Sequence, residues 1–308
     1  MELSVVENII WVGSRTAIPL LLAALGEIYA ERSGILNLGV EGMMALSAAI
    51  SFIVAFQTHN AWLGILVGVL SAMLLSLIHG FISISLRSNQ VVSGLAISML
   101  GLGLSSLIGR RYVGAQLPPD VRFLPTPLEP FYGVPIIGKF LFDQDPIFYL
   151  SLLLTFLLWF LLSRTRYGLI IRSTGGNPSA VDAAGISVER VRYAATLLGG
   201  ALSGLAGSYL STSYNPVWIE GITAGRGWIA ISLVIFSLWD PAKALLTSLL
   251  FGTIEAASYT LQALGYSQWL LSALPYLMTL VILTLGSSSR FRRRVGAPRY
   301  LGIPYERE

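Results

Sequence analysis

Cysteine is absent from this chain of 308 residues, and charged residues make up only 12% of it. The lack of cysteine excludes disulfides, thiolate metal sites and cysteine nucleophiles. Histidine occurs only at His59 and His79, too few for a histidine-based metal cluster. Soluble domains carry about 25% charged residues, so a globule of this composition could not cover its surface with polar groups. Most of the surface is therefore expected to face lipid.

Nucleotide-binding and catalytic motifs are missing as well. The sequence has no Gly-x-x-x-x-Gly-Lys-Ser/Thr segment, so the chain is not expected to cradle a nucleotide phosphate itself. It has no His-Glu-x-x-His motif, and Gly101-Leu102-Gly103 falls inside an apolar run. We predict no catalytic residues, no metal and no cofactor bound by this chain. Residues 1–8 carry two acids and no basic residue, which argues against a cleavable signal peptide.

Long apolar runs account for the 54% of residues that are hydrophobic. A membrane-spanning helix needs roughly 20 mostly apolar residues. The runs predicted to span are 9–30, 42–57, 61–86, 91–109, 146–163, 193–213, 227–239, 244–264 and 269–286. The run 227–239 reaches only about 20 Å at 1.5 Å per residue. The predicted fold is an all-α polytopic transmembrane bundle of about nine spans, within a range of eight to ten.

Arginine clusters give the expected orientation. Loop 163–192 and the tail 290–308 are both rich in arginine, so both should be cytoplasmic under the positive-inside rule. An even number of crossings must separate them, and this requires 227–239 to count as a crossing. Residues 1–289 then form the transmembrane domain, and 290–308 form a basic cytoplasmic tail.

The same count places loop 110–145 outside the cell. Its four basic and four acidic residues balance, and its six prolines forbid a long helix. We expect an ordered external surface loop. The N-terminus is expected to lie outside too.

A charged, glycine-punctuated segment at 26–42 interrupts the apolar N-terminal half. A charge at the bilayer centre costs roughly 2.5 kcal/mol or more, and non-helical backbone at depth is tolerated only inside protein or along a cavity. Two interpretations stay open: a discontinuous helix beside a polar pathway, or an ordinary cytoplasmic loop with capping charges. The candidate pathway residues are Glu27, Glu31, Arg32, Asn37 and Glu41.

Further polar residues lie within or beside the spans. Glu255 could belong to the pathway or simply hydrogen-bond a neighbouring helix. Arg226 and Trp228 could form an outer gate or an interfacial anchor. His79 is expected to be a structural hydrogen-bonding residue, and Asn89 and Gln90 are expected to cap the start of a helix. The small-x-x-x-small spacings in 200–207 permit close helix approach.

The cytoplasmic loop contains the pattern of a short capped helix. Asn177 can cap it, Pro178 suits its first position, and Gly185 can end it. The pattern predicts a helix over about 178–184, whose exposed face includes Ala180, Val181 and Ala184. Such a helix is either a docking element or a mere connection.

The sequence resembles the permease subunits of the branched-chain amino acid, ribose and nucleoside class of ABC importers over nearly its whole length. Three blocks carry the resemblance. The first is Gly26–Met44, and the second comprises Thr165–Gly168, Gly176–Pro178, Ala183–Ile186 and Ser203–Gly207. The third is Glu220–Ala230. The first and third blocks are similar to the nucleoside branch, within the nucleoside and simple-sugar permeases.

This resemblance implies the partners and the mechanism. Two permeases, homologous or identical, would form the pore in a bacterial plasma membrane, and an extracytoplasmic binding protein would deliver the solute. Cytoplasmic ATPase subunits, holding ATP and Mg, would dock on a coupling helix and drive alternating access. By the resemblance, the coupling-helix residues are Gly176, Asn177, Pro178, Ala180, Ala184 and Gly185. No nucleic-acid partner is expected.

The cargo is less closely defined. Nucleoside-type relatives often carry Glu where this chain has Gly176, whereas ribose-type relatives read Gly-Gly-Asn there, so a simple sugar such as ribose is the alternative. An ion-coupled secondary transporter could use Glu27, Glu41 and Glu255, but it should also show repeated halves with paired broken helices, which the sequence does not reveal. Two further alternatives are an intramembrane enzyme and a structural membrane scaffold. The enzyme would need a histidine partner for a serine nucleophile, and the sequence offers no well-placed one. The scaffold would not need the charged segment at 26–42.

Overall fold

The computed structural model describes residues 3–129, 137–263 and 297–306, and the single or paired positions 131, 134, 265–267, 269, 271, 273–274, 277–278, 280–281 and 284. The helices in these ranges are α1 Leu3–Arg32, α2 Val40–Thr58, α3 Ala61–Gly80, α4 Gln90–Gly109, α5 Ile137–Phe142, α6 Pro146–Arg164, α7 Arg166–Gly176, α8 Pro178–Ala183, α9 Val188–Tyr209, α10 Arg226–Phe236 and α11 Pro241–Ala263.

Short irregular elements join these helices. A π-helical turn, Phe81–Ser85, extends α3, and another, Leu210–Tyr214, extends α9. A 3₁₀ turn, Arg110–Tyr112, follows α4. Two-residue strands, β1 Thr126–Pro127 and β2 Asp143–Gln144, pair antiparallel within the long loop. The described part of loop 110–145 holds no helix longer than the six residues of α5, as its prolines predict.

Six of the described helices are long and apolar enough to cross a membrane: α1, α2, α3, α4, α6 and α11. Helix α9 has 22 residues but carries charged side chains in its first turns, and α10 has only 11 residues. Half of the positions in the run 269–286 lie outside the described residues. The all-α polytopic bundle is therefore confirmed, and the number of nine spans stays a prediction.

The helices pack in two matching sets. Helix α1 packs on α9, α10 and α11, and α9 packs on α1, α2 and α3. If α1 is exchanged with α9, α2 with α10 and α3 with α11, the same pairs of helices remain in contact. Gly26 and Gly199 face each other where α1 meets α9, and a Cβ on either would press on the other's carbonyl. Helices α1 and α9 therefore lie at the centre of the described packing, in contact with each other.

Small residues allow the helices to approach closely, as their spacing predicts. A Cβ at Gly207 of α9 would overlap the carbonyl oxygen of Met44 in α2. A Cβ at Gly101 of α4 would overlap the carbonyl group of Gly42. These backbones touch because neither glycine has a side chain to separate them.

The two predicted cytoplasmic segments share one end of the bundle. The amide of Tyr300 in the tail donates to the carbonyl of Gly175 at the end of α7, at 2.9 Å, and that of Gly302 donates to Gly34 just after α1, at 3.1 Å. At the opposite end, Tyr112 and Trp218 pack around Phe52 of α2. We name these the α8 end and the 110–145 end.

The N-terminal charged segment is helical in its first part and non-helical in its second. Helix α1 runs unbroken through Gly26 to Arg32, because its charged side chains find partners inside the bundle, so any break within 26–42 begins only after Arg32. The non-helical stretch is 33–39, and it is largely buried rather than a solvated loop. A second non-helical stretch, 215–225, precedes α10. Backbone of this kind is tolerated in a membrane protein because the surrounding protein satisfies its hydrogen bonds.

Candidate functional site

The carboxylate of Glu41 joins the two non-helical stretches. Glu41 lies in the first turn of α2. Its Oε1 accepts from the Thr223 hydroxyl at 2.6 Å and from the Gly225 amide at 2.9 Å, and its Oε2 accepts from the Gly227 amide at 2.6 Å. It thereby supplies acceptors for amides at the start of α10, where a helix leaves its N–H groups unpaired and favours negative charge.

From this meeting point, α2 and α10 run to opposite ends of the bundle. Helix α2 extends to the 110–145 end, where Gln57 donates to the Tyr112 hydroxyl at 2.6 Å. Helix α10 extends toward Arg32 at the α8 end, which donates to the carbonyls of Leu238 and Trp239 at 3.2 Å each. The stretch 215–225 and α10 together therefore form a discontinuous element, with its break close to Glu41.

Glu31 also joins the end of α1 to the segment after α10. Its Oε2 accepts from the indole N–H of Trp239 at 2.5 Å, and both side chains are buried. Arg32 binds the backbone carbonyls of Leu238 and Trp239, in the same segment as the Trp239 indole. Both charged residues at the end of α1 are therefore directed to the segment after α10.

Glu27 and Asn37 meet one turn deeper. The Oε1 of Glu27 accepts from the backbone N–H of Asn37 at 2.9 Å. The side-chain Oδ1 of Asn37 accepts from the backbone N–H of Gly39 at 3.0 Å. Both side chains are 0% exposed. The Oε2 of Glu27 has no hydrogen-bond partner among the described residues. This oxygen is a buried acceptor available to a further donor.

Arg226 and Glu255, which the sequence treated separately, form an ion pair of 2.5 Å. The Glu255 oxygen also accepts from the Tyr259 hydroxyl at 2.7 Å, and the Arg226 guanidinium lies 5.6 Å from the centre of the Tyr214 ring. Both charged side chains are largely buried, at 8% and 14% exposure. Trp228 is separate from this pair and is 38% exposed.

The structure contains a buried cluster that the sequence reasoning missed. Asp145 Oδ2 lies 3.7 Å from Arg15 Nε and accepts from the hydroxyls of Tyr209 and Ser213. Its Oδ1 caps α6 by accepting from the Ile147 and Phe148 amides. Asp145 was counted only as loop charge, but its place just before Pro146, at a helix start, was a capping signal.

A run of serines, also missed, joins α2 to α9. Ser47 and Ser208 hydroxyls lie 2.8 Å apart, and Ser51 donates to Ser208 at 2.5 Å. Ser47 also donates to the carbonyl of Gly204. These bonds fix α2 against the glycine-rich face of α9. Their spacing of about one helical turn was the available signal.

The predicted roles of His79 and Asn89 are found in the structure, and that of Gln90 is not. His79 is buried, with Nδ1 3.0 Å from the Ser93 hydroxyl and Nε2 3.2 Å from the Leu36 carbonyl, so its structural role is confirmed. Asn89 caps α4 as expected. Gln90, also expected to cap, instead accepts from the Leu36 amide at 2.8 Å, because the buried stretch 33–39 requires acceptors.

Helix α8 has the predicted caps. Asn177 accepts from the Ala180 amide at 3.2 Å, Pro178 occupies the first turn, and Gly185 follows with φ of +78°. Ala180 and Ala184 are exposed. The prediction for Val181 was wrong: it is only 5% exposed, because it is the apolar residue that seats α8 on the bundle.

Gly176 has no steric reason to be glycine. A Cβ at this position would meet no atom within 4 Å, and its backbone is not left-handed. A Cβ could therefore stand here without displacing a neighbour.

Buried charges between apolar helices, with two non-helical stretches held inside the bundle, are the architecture of helical membrane transport proteins. The chain belongs to one such family. Residues 9–283 match the family described as "branched-chain amino acid transport system / permease component". It is therefore a permease subunit of an ABC transporter and not an enzyme; ATP hydrolysis belongs to a partner subunit.

Curated relatives align with the chain over almost its whole length. It is 35% identical to the guanosine ABC transporter permease protein NupQ of Bacillus subtilis, over 94% of this chain and 93% of the relative. It is 32% identical to the nucleoside ABC transporter permease protein NupC of Lactococcus lactis, over 93% of each chain. It is 36% identical to an ABC transporter permease protein of Haloferax volcanii, TsgC13, provisionally named for glucose, over 96% of each chain. No solved structure matches the chain.

Membership of this family confirms the resemblance found in the sequence. It sets aside the ion-coupled secondary transporter, the intramembrane enzyme and the scaffold as descriptions of the chain. It also implies an ATPase and a solute-binding protein as partners in the transporter.

Proposed function

We propose that this chain forms the translocation path of an importer for nucleosides or closely related small polar solutes. The observation that carries the proposal is full-length similarity to two permeases named for guanosine and for nucleosides. The buried polar groups around 33–39 and 215–225 support it, because a polar solute requires polar partners when it leaves water.

The proposed topology has nine crossings, with the N-terminus outside and the α8 end in the cytoplasm. Two features support it. The arginine-rich loop and the described part of the tail lie at the same end, as the positive-inside rule requires. An even number of crossings must separate the arginine-rich loop from the tail. The discontinuous element made of 215–225 and α10 supplies the crossing that makes this number even.

Helix α8 is the proposed coupling helix, on which a cytoplasmic ATPase holding ATP and Mg would dock. Its support is geometric: Asn177 and Gly185 fix both ends, Val181 seats the helix, and Ala180 and Ala184 face outward. In this proposal the second permease, homologous or identical, completes the pore, and an extracytoplasmic binding protein delivers the solute.

Copurification tests the coupling helix. Ala180→Arg or Ala184→Asp should abolish copurification of the ATPase while the permease still inserts in the membrane, because each places a charge on the docking face. Ala180→Ser, a small change at the same position, is the matched control and should retain the ATPase. Normal copurification with Ala180→Arg and with Ala184→Asp would show that α8 is not the docking helix.

The interior polar residues are proposed to flank the path and to hold its discontinuous backbone. All five bind 33–39 or the stretches beside α10: Glu27, Glu31, Arg32, Asn37 and Glu41. Within one subunit Arg32 is partly buried and the other four are buried. A solute would reach these groups only after the flanking backbone moves.

The proposed outer gate is formed by Arg226 and Trp228. Glu255, beside it, remains a proposed residue of the translocation path. The ion pair holds the start of α10 against α11, and Trp228 is exposed on the same helix. Opening by this route would require α10 and α11 to separate at the pair.

Uptake measurements test the cargo. In cells lacking this subunit, restoring the gene should restore uptake of radiolabelled adenosine, guanosine and uridine, with competition by unlabelled nucleosides but not by ribose or glucose. The chain carrying Ala180→Arg serves as the inactive control. Failure to restore uptake of any nucleoside would overturn this cargo.

A simple sugar is the second candidate, and two observations favour it. One relative of comparable identity is named for glucose, and Gly176 matches the ribose-type pattern. Restored glucose or ribose uptake without nucleoside uptake would establish this alternative and leave the permease assignment intact.

A further inference from the structure

The C-terminal segment 297–306 folds back on the α8 end. Its amides at Tyr300 and Gly302 donate to the carbonyls of Gly175 and Gly34, at 2.9 and 3.1 Å. Gly175 ends α7, the helix before α8, and Gly34 belongs to the turn after α1. The segment therefore lies between the proposed docking loop and α1, and binds the backbone of both.

Arg192 ties the same segment to α9. This side chain is only 1% exposed. Its Nε donates to the Ser33 carbonyl and its Nη2 to the Ile303 carbonyl, at 3.3 Å each. A buried guanidinium is costly unless its donors are paired. The C-terminal segment supplies one of the acceptors that keep Arg192 in place beside the end of α1.

Tyr305 extends these contacts to α8 itself. Its hydroxyl donates to Asp182 Oδ2 at 3.2 Å. One residue further, Glu306 pairs with Arg87 at 3.3 Å, but both side chains are well exposed, so this pair contributes little. Helix α8 packs mainly on α7 and α9 rather than on α1. Tyr305 thus gives α8 a link to a segment that also binds the turn after α1.

We infer that the C-terminal segment 297–306 is a positioning element that passes movement of α8 to α1 and the stretch 33–39. The inference rests on the proposed role of α8 as the coupling helix. The ATPase displaces α8, Tyr305 follows Asp182, and the segment pulls on Gly34 through Gly302. Gly34 belongs to the stretch 33–39, in which the backbone amide of Asn37 binds Glu27.

Hydrogen exchange in the complete transporter, copurified with its own ATPase, tests this inference without knowledge of the solute. The probe is ATP with vanadate. In the wild-type complex the exchange rate of amides in 33–39 should change by at least about fivefold on addition of the probe, the lower end of the usual range for coupled sites.

Tyr305→Phe removes the hydroxyl but keeps the ring, and should abolish most of that response. Peptides covering α8 should still respond, and exchange without nucleotide should match wild type, which a merely structural role would not produce. Asp182→Asn, which weakens the acceptor, should act in the same direction, and combining the two changes should add little. Tyr266→Phe, at an exposed tyrosine, is the matched control and should leave the response intact.

Two results would overturn the inference: no response of 33–39 in the wild-type complex, or an unaltered response in both Tyr305→Phe and Asp182→Asn. Ala180→Arg separates this failure from failure of the coupling helix. If Ala180→Arg releases the ATPase while Tyr305→Phe leaves the response unaltered, only the role of the C-terminal segment is wrong. If Ala180→Arg retains the ATPase, the coupling-helix proposal itself fails.

Discussion

Replacing Glu41 by glutamine should weaken the joint between α2 and α10 without changing its shape. The carboxylate accepts from three groups, the Thr223 hydroxyl and the Gly225 and Gly227 amides. A glutamine carbonyl can keep the two donors on one oxygen, but its NH₂ group then faces the Gly227 amide, donor to donor. A hydrogen bond to a charged group contributes about 1.5–3 kcal/mol, and negative charge at a helix start adds up to about 1 kcal/mol. The expected loss is therefore about 3 kcal/mol of unfolding free energy.

Thermal unfolding of the purified subunit in detergent measures this loss. For a chain of this size the change should lower the Tm by roughly 5–10 °C. Glu220→Gln, the same replacement at an exposed site in 215–225, is the matched control and should leave the Tm unchanged. Thr223→Val, which removes one donor, should fall between them. A Tm for Glu41→Gln within about a degree of the control would refute the reasoning, because three bonds to a buried carboxylate could not then hold the joint.

Gly207→Leu should sharply reduce the amount of protein in the membrane fraction, because its side chain would overlap a backbone carbonyl of α2; Gly103→Leu, where a Cβ meets no atom within 4 Å, should accumulate normally. Arg226→Gln should cost about 3–5 kcal/mol of unfolding free energy by leaving Glu255 buried and unpaired. Adding Glu255→Gln should recover most of that cost in thermal unfolding, and a double variant no more stable than the single one would contradict the pairing. Gly176→Glu should change stability by no more than about 0.5 kcal/mol and should retain the ATPase in copurification, because the position is open; loss of the ATPase would contradict the open site.

The sequence predicted the helices well because their signals are local. Apolar runs, the caps at Asn177 and Gly185, and the prolines of 110–145 each act within a few residues. Eight of the predicted runs coincide with described helices to within a few residues. The family blocks also identified the class of protein that the comparisons confirm.

The partners of the buried charges could not be predicted in the same way. Glu31 meets Trp239, and Glu41 meets Gly225, across more than half of the chain. A single sequence contains no signal for contacts at such separations. Glu27 and Glu31 raised the same difficulty, because the sequence does not show the partners that let α1 continue as a helix to Arg32. Val181 was placed on the wrong face because a six-residue helix gives too little periodicity to fix its orientation.

The long-range pairing of α1 has a consequence for synthesis in the cell. Helix α1 leaves the ribosome well before α10, because the partner of Glu31 lies 208 residues later in the chain. At about 5–20 residues per second, the ribosome needs roughly 10–40 s to make the intervening residues. During that interval α1 carries charges that cost about 2.5 kcal/mol or more each at the centre of a bilayer. Glu31 is thus made long before the residue that pairs with it. A nascent chain that stalls before Trp239 leaves Glu31 without this hydrogen bond.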